Sequence, residues 1–257
     1  MSEKVQEYRK LHQKGNPLLI ANVWDVISTK AAEKAGYKTV GASSHPIADT
    51  LGYEDGQNMS FDEIFFVANR IAQSTDLFVS VDIESGYTED LNRLNEYVER
   101  LVDAGVVGIN LEDGLTSGNA RKLGDISILA NKIKSIKDYL KSKGKDIFIN
   151  ARIDTYTTKH PEAFNETLNR AQAYEEAGAD GVFVPLIADE HEIRTLLDTV
   201  QIPLNIFLTP DFNDFDKIKD LGIQRISSGN KAQAKINEQV DELFKDLNQN
   251  KNFKRLF

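Results

Sequence analysis

The chain has 257 residues, of which 40% are hydrophobic, and α/β barrels of this length form one domain. Its 40 acidic and 31 basic residues give a formal net charge of -9, which disfavours nucleic acid and anionic lipid as partners. The sequence has no cysteine, which excludes disulfides, thiolate metal sites and a cysteine nucleophile and is typical of a reducing compartment.

The N-terminal segment MSEKVQEYRKLHQKGN carries charges every few residues, so it lacks the apolar core of a signal peptide. No later stretch is apolar over the length of a membrane span. We therefore expect a soluble, cytoplasmic protein. Residues 3–14 are predicted to form an extra helix ahead of the main fold.

Eight short apolar runs follow in chain order, and their composition is that of buried strands. They are residues 18–22, 39–42, 77–83, 107–112, 147–152, 181–185, 203–207 and 225–228. Segments between them, such as FDEIFFVANRIAQ and LNRLNEYVERLVDAG, repeat apolar residues three and four positions apart and predict amphipathic helices. Several of these helices are predicted to end in Ala-Gly or Leu-Gly, as at Gly105 and Gly178, because glycine readily takes the left-handed conformation that closes a helix.

Strand and helix thus alternate along the chain, which predicts a parallel sheet covered by helices. Eight units in one domain favour a closed (β/α)8 TIM barrel over an open doubly wound sheet. We expect residues 1–257 to form this single domain, with residues 230–247 as its last helix. Residues 41–58 form a long connection after the second strand, and long βα connections are more often functional than idle.

Acidic residues close neighbouring strands, at the end of a barrel where active sites lie. Asp82 and Glu84 are two positions apart in VDIESGY and so point the same way, and Glu112 closes the next strand in NLEDG. Three converging carboxylates repel one another unless a cation neutralises them, and oxygen ligands without His or Cys suit Mg²⁺ or Mn²⁺. The alternative is that these carboxylates cap the following helices or face water.

Two further charged residues are predicted to lie near this metal site. Arg152 ends the fifth strand in NARID, where its guanidinium could pair with a substrate carboxylate or phosphate, or with Glu112 alone. Asp55 lies in the long connection in LGYEDGQN, where a single acidic residue is most often a turn former.

Together these motifs resemble the isocitrate lyase / phosphoenolpyruvate mutase superfamily, phosphonomutase-like branch, from about residue 16 to about residue 229. Five motifs follow the family's order: NVWDVISTKAAEKAGYKTVGASS, LGYEDGQ, VDIESGY, NLEDG and NARID. The resemblance implies that a 2-oxo acid chelates Mg²⁺ and that the metal stabilises the enolate formed as a C–C or P–C bond breaks or forms.

The resemblance also implies roles for individual residues at the substrate. Ser43 and Ser44 are implied to bind the substrate carboxylate, and Arg152 is the implied substrate-binding and catalytic arginine. Asp55 is the implied catalytic aspartate. Asn205, in PLNIFLTP, is implied at the substrate pocket.

For the metal, the resemblance implies Asp82, Glu84 and Glu112 as ligands, often through bridging waters. Glu84 replaces the second aspartate of the family's signature and, one methylene longer, still reaches a metal directly or through water. Members of the family usually form dimers or tetramers by exchanging a C-terminal helix between barrels, so residues 231–247 are expected to do so here.

The chain departs from the family at three places. The lyases carry a lid cysteine that serves as acid or base, and this chain has none. The segment GLTSGNARKLGD after Glu112 is short, with Asn119, Arg121 and Lys122 in an arrangement unlike the lid of the mutases. Pro185 ends the sixth strand where the mutase-like members place a histidine. These departures disfavour both the cysteine-dependent lyase route and mutase action.

Our leading hypothesis is therefore a Mg²⁺-dependent lyase, decarboxylase or hydrolase of a small 2-oxo dicarboxylate of the oxaloacetate type. A phosphonomutase-like P–C bond enzyme is the alternative within enzymes. A catalytically degenerate barrel that binds a small carboxylate is the alternative from another class, because the metal ligands are retained but the lid residues are not.

Overall fold

A parallel β-barrel surrounded by helices forms the centre of the computed structural model, which describes residues 2–117 and 120–257. The strands are β1 (Leu18–Leu19), β2 (Ala21–Val23), β3 (Thr39–Ala42), β4 (Phe78–Asp82), β5 (Gly108–Glu112), β6 (Gly114–Ser117), β7 (Ala120–Leu123), β8 (Phe148–Arg152), β9 (Gly181–Phe183), β10 (Leu204–Phe207) and β11 (Arg225–Ser227). The helices are α1 (Ser2–Lys10), α2 (Val26–Lys34), α3 (Ser44–Leu51), α4 (Phe61–Ala72), α5 (Leu91–Asp103), α6 (Ile126–Ser142), α7 (Ala163–Glu176), α8 (Glu190–Thr199), α9 (Phe215–Asp220) and α10 (Lys231–Gln249), followed by a short 3-10 helix (Phe253–Leu256).

The barrel closes through its first strand, which changes partner at Ile20. On one side of Ile20, β1 pairs in parallel with β11, and on the other side β2 pairs in parallel with β3. The sheet order β1-β11-β10-β9-β8-β5-β4-β3-β2 therefore returns to its starting strand. The predicted (β/α)8 barrel is confirmed.

Local sequence sets the helices that cover the barrel. In α5, for example, the side chain of Asp90 accepts hydrogen bonds from the backbone N–H groups of the first turn, and Leu94, Val98 and Leu101 bury one face against the strands. None of the helices in the described part of the chain is long and apolar enough to cross a membrane.

The N-terminal helix closes the bottom of the barrel. Tyr8 on α1 packs its ring against Phe148 of β8, in a small apolar cluster separate from the main core. The helix ends at Lys10, earlier than the predicted residue 14, because the chain turns at Gly15, whose φ of 76° is left-handed, and enters β1 after Pro17. The opposite end of the barrel is left open.

Two elements at that open end differ from the sequence-based expectation. The connection of residues 41–58 contains the helix α3, which was predicted as loop because its eight residues, SHPIADTL, are too few for a clear helical period. The segment after Glu112 forms an antiparallel hairpin, β6–β7, although its polar sequence carries little strand signal. Asn119 lies outside the described residues.

Candidate active site

A cavity of about 210 Å³ opens at the carboxyl ends of the barrel strands. Among the residues that line it are five of those predicted from the sequence: Ser43, Ser44, Asp55, Asp82 and Arg152. They come from separate strand ends or the segments that follow them, so the barrel itself brings them together. Asn205 lies beneath the cavity without lining it, and its amide donates to Ser227 Oγ over 3.1 Å. Its role at the substrate stays a prediction.

Asp82 is the predicted metal ligand that lines the cavity. Its two carboxylate oxygens accept hydrogen bonds from the Ser44 hydroxyl and from the Glu84 backbone N–H, both over 3.2 Å. Burial raises the pKa of Asp82, although the positive charge of Arg152 opposes that effect. The carboxylate is thus a buried negative group with spare acceptor capacity.

Glu84 lies behind Asp82 on a strained piece of backbone. Its φ of 49° is left-handed, which is uncommon for a residue with a side chain, and such strain is often found at functional sites. The carboxylate accepts a hydrogen bond from the Tyr87 hydroxyl over 3.1 Å. Burial, followed by the charges of Asp82 and Asp55, raises the pKa of Glu84 to about 7.

Glu112 is buried at the end of β5 between two guanidinium groups. One carboxylate oxygen contacts Arg121 of the hairpin, and the other lies 3.0 Å from Nη1 of Arg152. Both arginines also contact Asp154, at 2.7 Å and 2.9 Å. Arg152 therefore pairs with Glu112, as the alternative expected, but with Asp154 as well rather than with Glu112 alone, and hairpin β6–β7 supplies Arg121 to the same network.

The donor chemistry of these side chains fits a hard divalent cation. Asp82, Glu84 and Glu112 offer only oxygen, and Glu112 Oε2 accepts no hydrogen bond despite its ion pair. Among the residues that the structure describes, no three His, Asp or Glu side chains are grouped closely enough to hold a metal ion directly. The oxygen-only donor set of the three carboxylates fits Mg²⁺, and their shared metal site stays a prediction.

His45, on α3, is a cavity residue that the sequence reasoning missed. Its Nδ1 lies 3.2 Å from the Asp55 carboxylate, and its Nε2 lies 3.5 Å from Asp49 and 3.3 Å from the Asn230 amide. The Asp55 contact is the main cause of a raised pKa at His45. In the sequence, His45 directly follows the candidate residues Ser43 and Ser44, which could have marked it. Its side chain lines the cavity because a helix begins there, and that helix was not predicted.

Asp55 is therefore more than a turn residue, because its surroundings favour the ionised carboxylate. Burial opposes its ionisation, but the contact with His45 and the charges of Arg121 and Arg152 outweigh burial and lower its pKa. Its loop is fixed from two sides. Gly56 packs against Thr116 of hairpin β6–β7, and the Gln57 side chain bonds Ser85 and the Tyr87 backbone.

The two serines place hydroxyl groups in the same cavity as Arg152. Ser43 precedes α3 and Ser44 is its first residue, so their hydroxyls lie at a helix N-terminus, the end that attracts negative charge. The side chain of Ser43 makes no capping bond of its own. This arrangement suits the carboxylate of a small acid.

The fold and this cavity define a barrel enzyme whose site combines buried carboxylates with arginine. The family model for phosphoenolpyruvate phosphomutase matches residues 8–248. The chain belongs to this family, whose relatives include lyases and mutases, and the resemblance predicted from the motifs is confirmed.

Three relatives illustrate the range of the family. An uncharacterised protein of Mycobacterium tuberculosis is 35% identical over 86% of this chain and 81% of its own length. A 2-methylisocitrate lyase of Bacillus subtilis is 27% identical over 95% of this chain and 82% of its own length. An oxaloacetate decarboxylase of Pseudomonas entomophila is 26% identical over 88% of this chain and 78% of its own length.

Solved structures share the architecture closely. A candidate phosphonomutase from Burkholderia cenocepacia superposes with a TM-score of 0.89 at 33% identity, covering 95% of this chain and 99% of the other. A phosphonopyruvate hydrolase in complex with oxalate and Mg²⁺ superposes with a TM-score of 0.86 at 21% identity, covering 98% of this chain and 89% of the other.

Proposed function

We propose that this protein is a Mg²⁺-dependent enzyme that cleaves a small 2-oxo dicarboxylate of the oxaloacetate type by way of an enolate. One observation carries the proposal: Asp55, Asp82, Ser44 and Arg152 line one small cavity at the strand ends. The oxaloacetate decarboxylase and the 2-methylisocitrate lyase among the relatives support a carbon–carbon lyase.

The substrate's first carboxylate is held between Arg152 and the two serines. Arg152 is already oriented by Glu112 and Asp154, so its guanidinium is fixed before substrate arrives. The Ser43 hydroxyl, which makes no capping bond, donates to the same carboxylate, while the Ser44 hydroxyl donates to Asp82 and can accept a hydrogen bond. These contacts orient the first carboxylate in the cavity.

Asp82, Glu84 and Glu112 would hold Mg²⁺ or Mn²⁺. The bound ion would supply Lewis-acid stabilisation for negative charge that develops on the 2-oxo group. Support comes from the oxygen-only donor set and from the phosphonopyruvate hydrolase of the same fold that was solved with oxalate and Mg²⁺.

Asp55 and His45 supply the proton chemistry. In decarboxylation the bond between C3 and C4 breaks, CO₂ leaves, and the electron pair remains as the enolate. C3 then takes up one proton. His45, which Asp55 keeps prone to protonation, can hold that proton beside the cavity, and Asp55 can orient water or accept a proton in a hydrolytic variant of the reaction.

A phosphonomutase-like reaction is the second candidate, because the candidate phosphonomutase is 33% identical over nearly the whole chain. Transfer of a phosphoryl group requires further donors for its spread negative charge. Pro185, at the position where the mutase-like members place a histidine, lines the cavity together with Leu186. Neither side chain can donate a hydrogen bond. This wall of the cavity therefore offers no side-chain donor to a phosphoryl group, which favours carbon–carbon cleavage.

The proposal is tested by pyruvate and CO₂ release from oxaloacetate, with and without Mg²⁺, after subtraction of the metal-catalysed rate without enzyme. We expect turnover that a chelator removes and Mg²⁺ restores. Absence of enzyme-dependent cleavage at saturating oxaloacetate and Mg²⁺ would contradict the proposal.

A further inference from the structure

The floor of the cavity holds a positive charge that no carboxylate balances. Arg225 begins β11, is only 2% exposed, and lines the cavity. Among the residues that the structure describes, no carboxylate lies within ion-pair distance of its guanidinium, and its Nε and Nη1 have no hydrogen-bond partner. Its polar contact is a long hydrogen bond of 3.4 Å from Nη2 to Asn110 Oδ1, and its guanidinium lies 6.0 Å from the centre of the Phe148 ring.

Other buried arginines of the protein are paired. Arg170 contacts Asp113 and Glu166, and Arg152 contacts Glu112 and Asp154. Burying a guanidinium without a counter-charge costs free energy, because the charge loses water and gains no partner. Such a cost in a cavity wall points to a group that binds there during function.

The neighbours of Arg225 do not supply the missing negative charge. His12 is buried beneath the barrel, and burial together with the positive charge of Arg225 lowers the pKa of His12 to about 3, so the imidazole is neutral. Asn110 and Ser80 line the same part of the cavity and are neutral hydrogen-bonding groups. The floor is therefore polar, positive and suited to an anion.

Arg225 and Arg152 are spaced to hold two ends of one small molecule. Arg225 contacts Asn110, whereas Arg152 contacts Glu112, two residues further along the same strand. Two residues of a strand span about 7 Å, so the two guanidiniums lie at different depths of one cavity. An acid with two carboxylates on a chain of about four carbons bridges such a separation, which a monocarboxylate does not.

We propose that Arg225 forms a second anion subsite that binds the distal carboxylate of a dicarboxylic substrate. The inference rests on the proposed function, because it assigns Arg152 and the serines to the other carboxylate of the same molecule. Arg225 is then the residue that selects dicarboxylic acids over monocarboxylic acids.

The test compares malate with lactate as unreactive probes, since the two differ in the distal carboxylate. Calorimetric titrations are made in Mg²⁺ with the full chain, with Arg225→Met, and with Arg225→Lys. Arg9→Met serves as a control, because Arg9 is paired with Asp146 and Asp180 away from the cavity. Melting temperatures without ligand are measured for all four proteins.

We expect the natural chain to bind malate at least about tenfold more tightly than lactate. Arg225→Met should abolish this preference, leave lactate binding unchanged and melt no lower than the natural chain, because an unpaired buried charge has been removed. Arg225→Lys should keep part of the preference, and Arg9→Met should keep all of it while melting lower. If Arg225→Met does not fold, a reduced malate preference in Arg225→Lys decides in favour of the subsite, and an undiminished preference decides against it.

Equal binding of malate and lactate by the natural chain, or an intact preference in a folded Arg225→Met protein, would overturn the subsite. Either result leaves oxaloacetate cleavage to be judged by its own assay. Conversely, a malate preference that depends on Arg225 in a protein without cleavage activity would retain the subsite and reject the proposed function.

Discussion

Asp55 and His45 lie in contact at the edge of the cavity, and the effect of Asp55 on turnover can be measured. Asp55→Ala should lower kcat by about 100-fold or more while changing ligand affinity little, because its role lies mainly in the transition state. Asp49→Ala is the matched control, since Asp49 contacts the same imidazole from outside the cavity lining. Equal kcat values for the two variants would reject the assignment of Asp55.

Glu112 tests the metal site. We expect Glu112→Gln to weaken Mg²⁺ binding, because the amide keeps the shape of the side chain but removes one negative charge from the set of carboxylates. Calorimetric titration with Mg²⁺ and a circular dichroism spectrum separate loss of metal from loss of fold. An unchanged metal affinity would show that Glu112 serves only as the partner of Arg121 and Arg152.

At the level of elements, α1 is attached to the barrel floor through a neutral histidine. The Nδ1–H of His12 donates to the Tyr8 carbonyl oxygen over 3.0 Å, and its ring stacks on Phe148. Its pKa falls from 6.5 to about 3 on folding, so between these pH values the unfolded chain binds the extra proton. Protonation of the unfolded chain therefore lowers the free energy of unfolding as pH falls from about 6.5 toward 3. The loss is about 5 kcal/mol at most.

His12→Phe should flatten this dependence, because phenylalanine keeps the stacking and does not titrate. Urea unfolding at intervals from pH 7 to pH 4 measures the slope for both proteins. If the natural chain and the variant lose stability in parallel over that range, His12 is not the group responsible.

The strands could be predicted from the sequence because buried parallel strands are continuous apolar runs. The same rule located Asp82, Glu112 and Arg152, since each closes such a run at the end of the barrel where sites lie. Helix α3 could not be predicted because its eight residues are too few for a clear helical period, and hairpin β6–β7 could not because its sequence is short and polar. His45 was missed with α3. Arg225 was missed because only the packed barrel shows that its charge has no partner.

The whole molecule presents an uncovered apolar stripe on α10. Ile236, Val240 and Phe244 are 46%, 40% and 63% exposed, and they recur at helical spacing. The predicted exchange of this helix between subunits remains a prediction. We expect a dimer or tetramer by light scattering at micromolar concentration, and a smaller mass for Phe244→Glu, because the charge opposes burial of the stripe. A monomer mass for the natural chain would contradict this expectation.

The measurement that tests the central claim most directly is a side-by-side assay of oxaloacetate cleavage and phosphonopyruvate conversion in Mg²⁺, with Asp55→Ala in parallel. A cavity with Pro185 and Leu186 in its wall and a carboxylate site at Arg152 should cleave oxaloacetate in preference, and both activities should fall in the variant. Dominant phosphonopyruvate turnover that depends on Asp55 would show instead that the protein is a phosphorus–carbon bond enzyme.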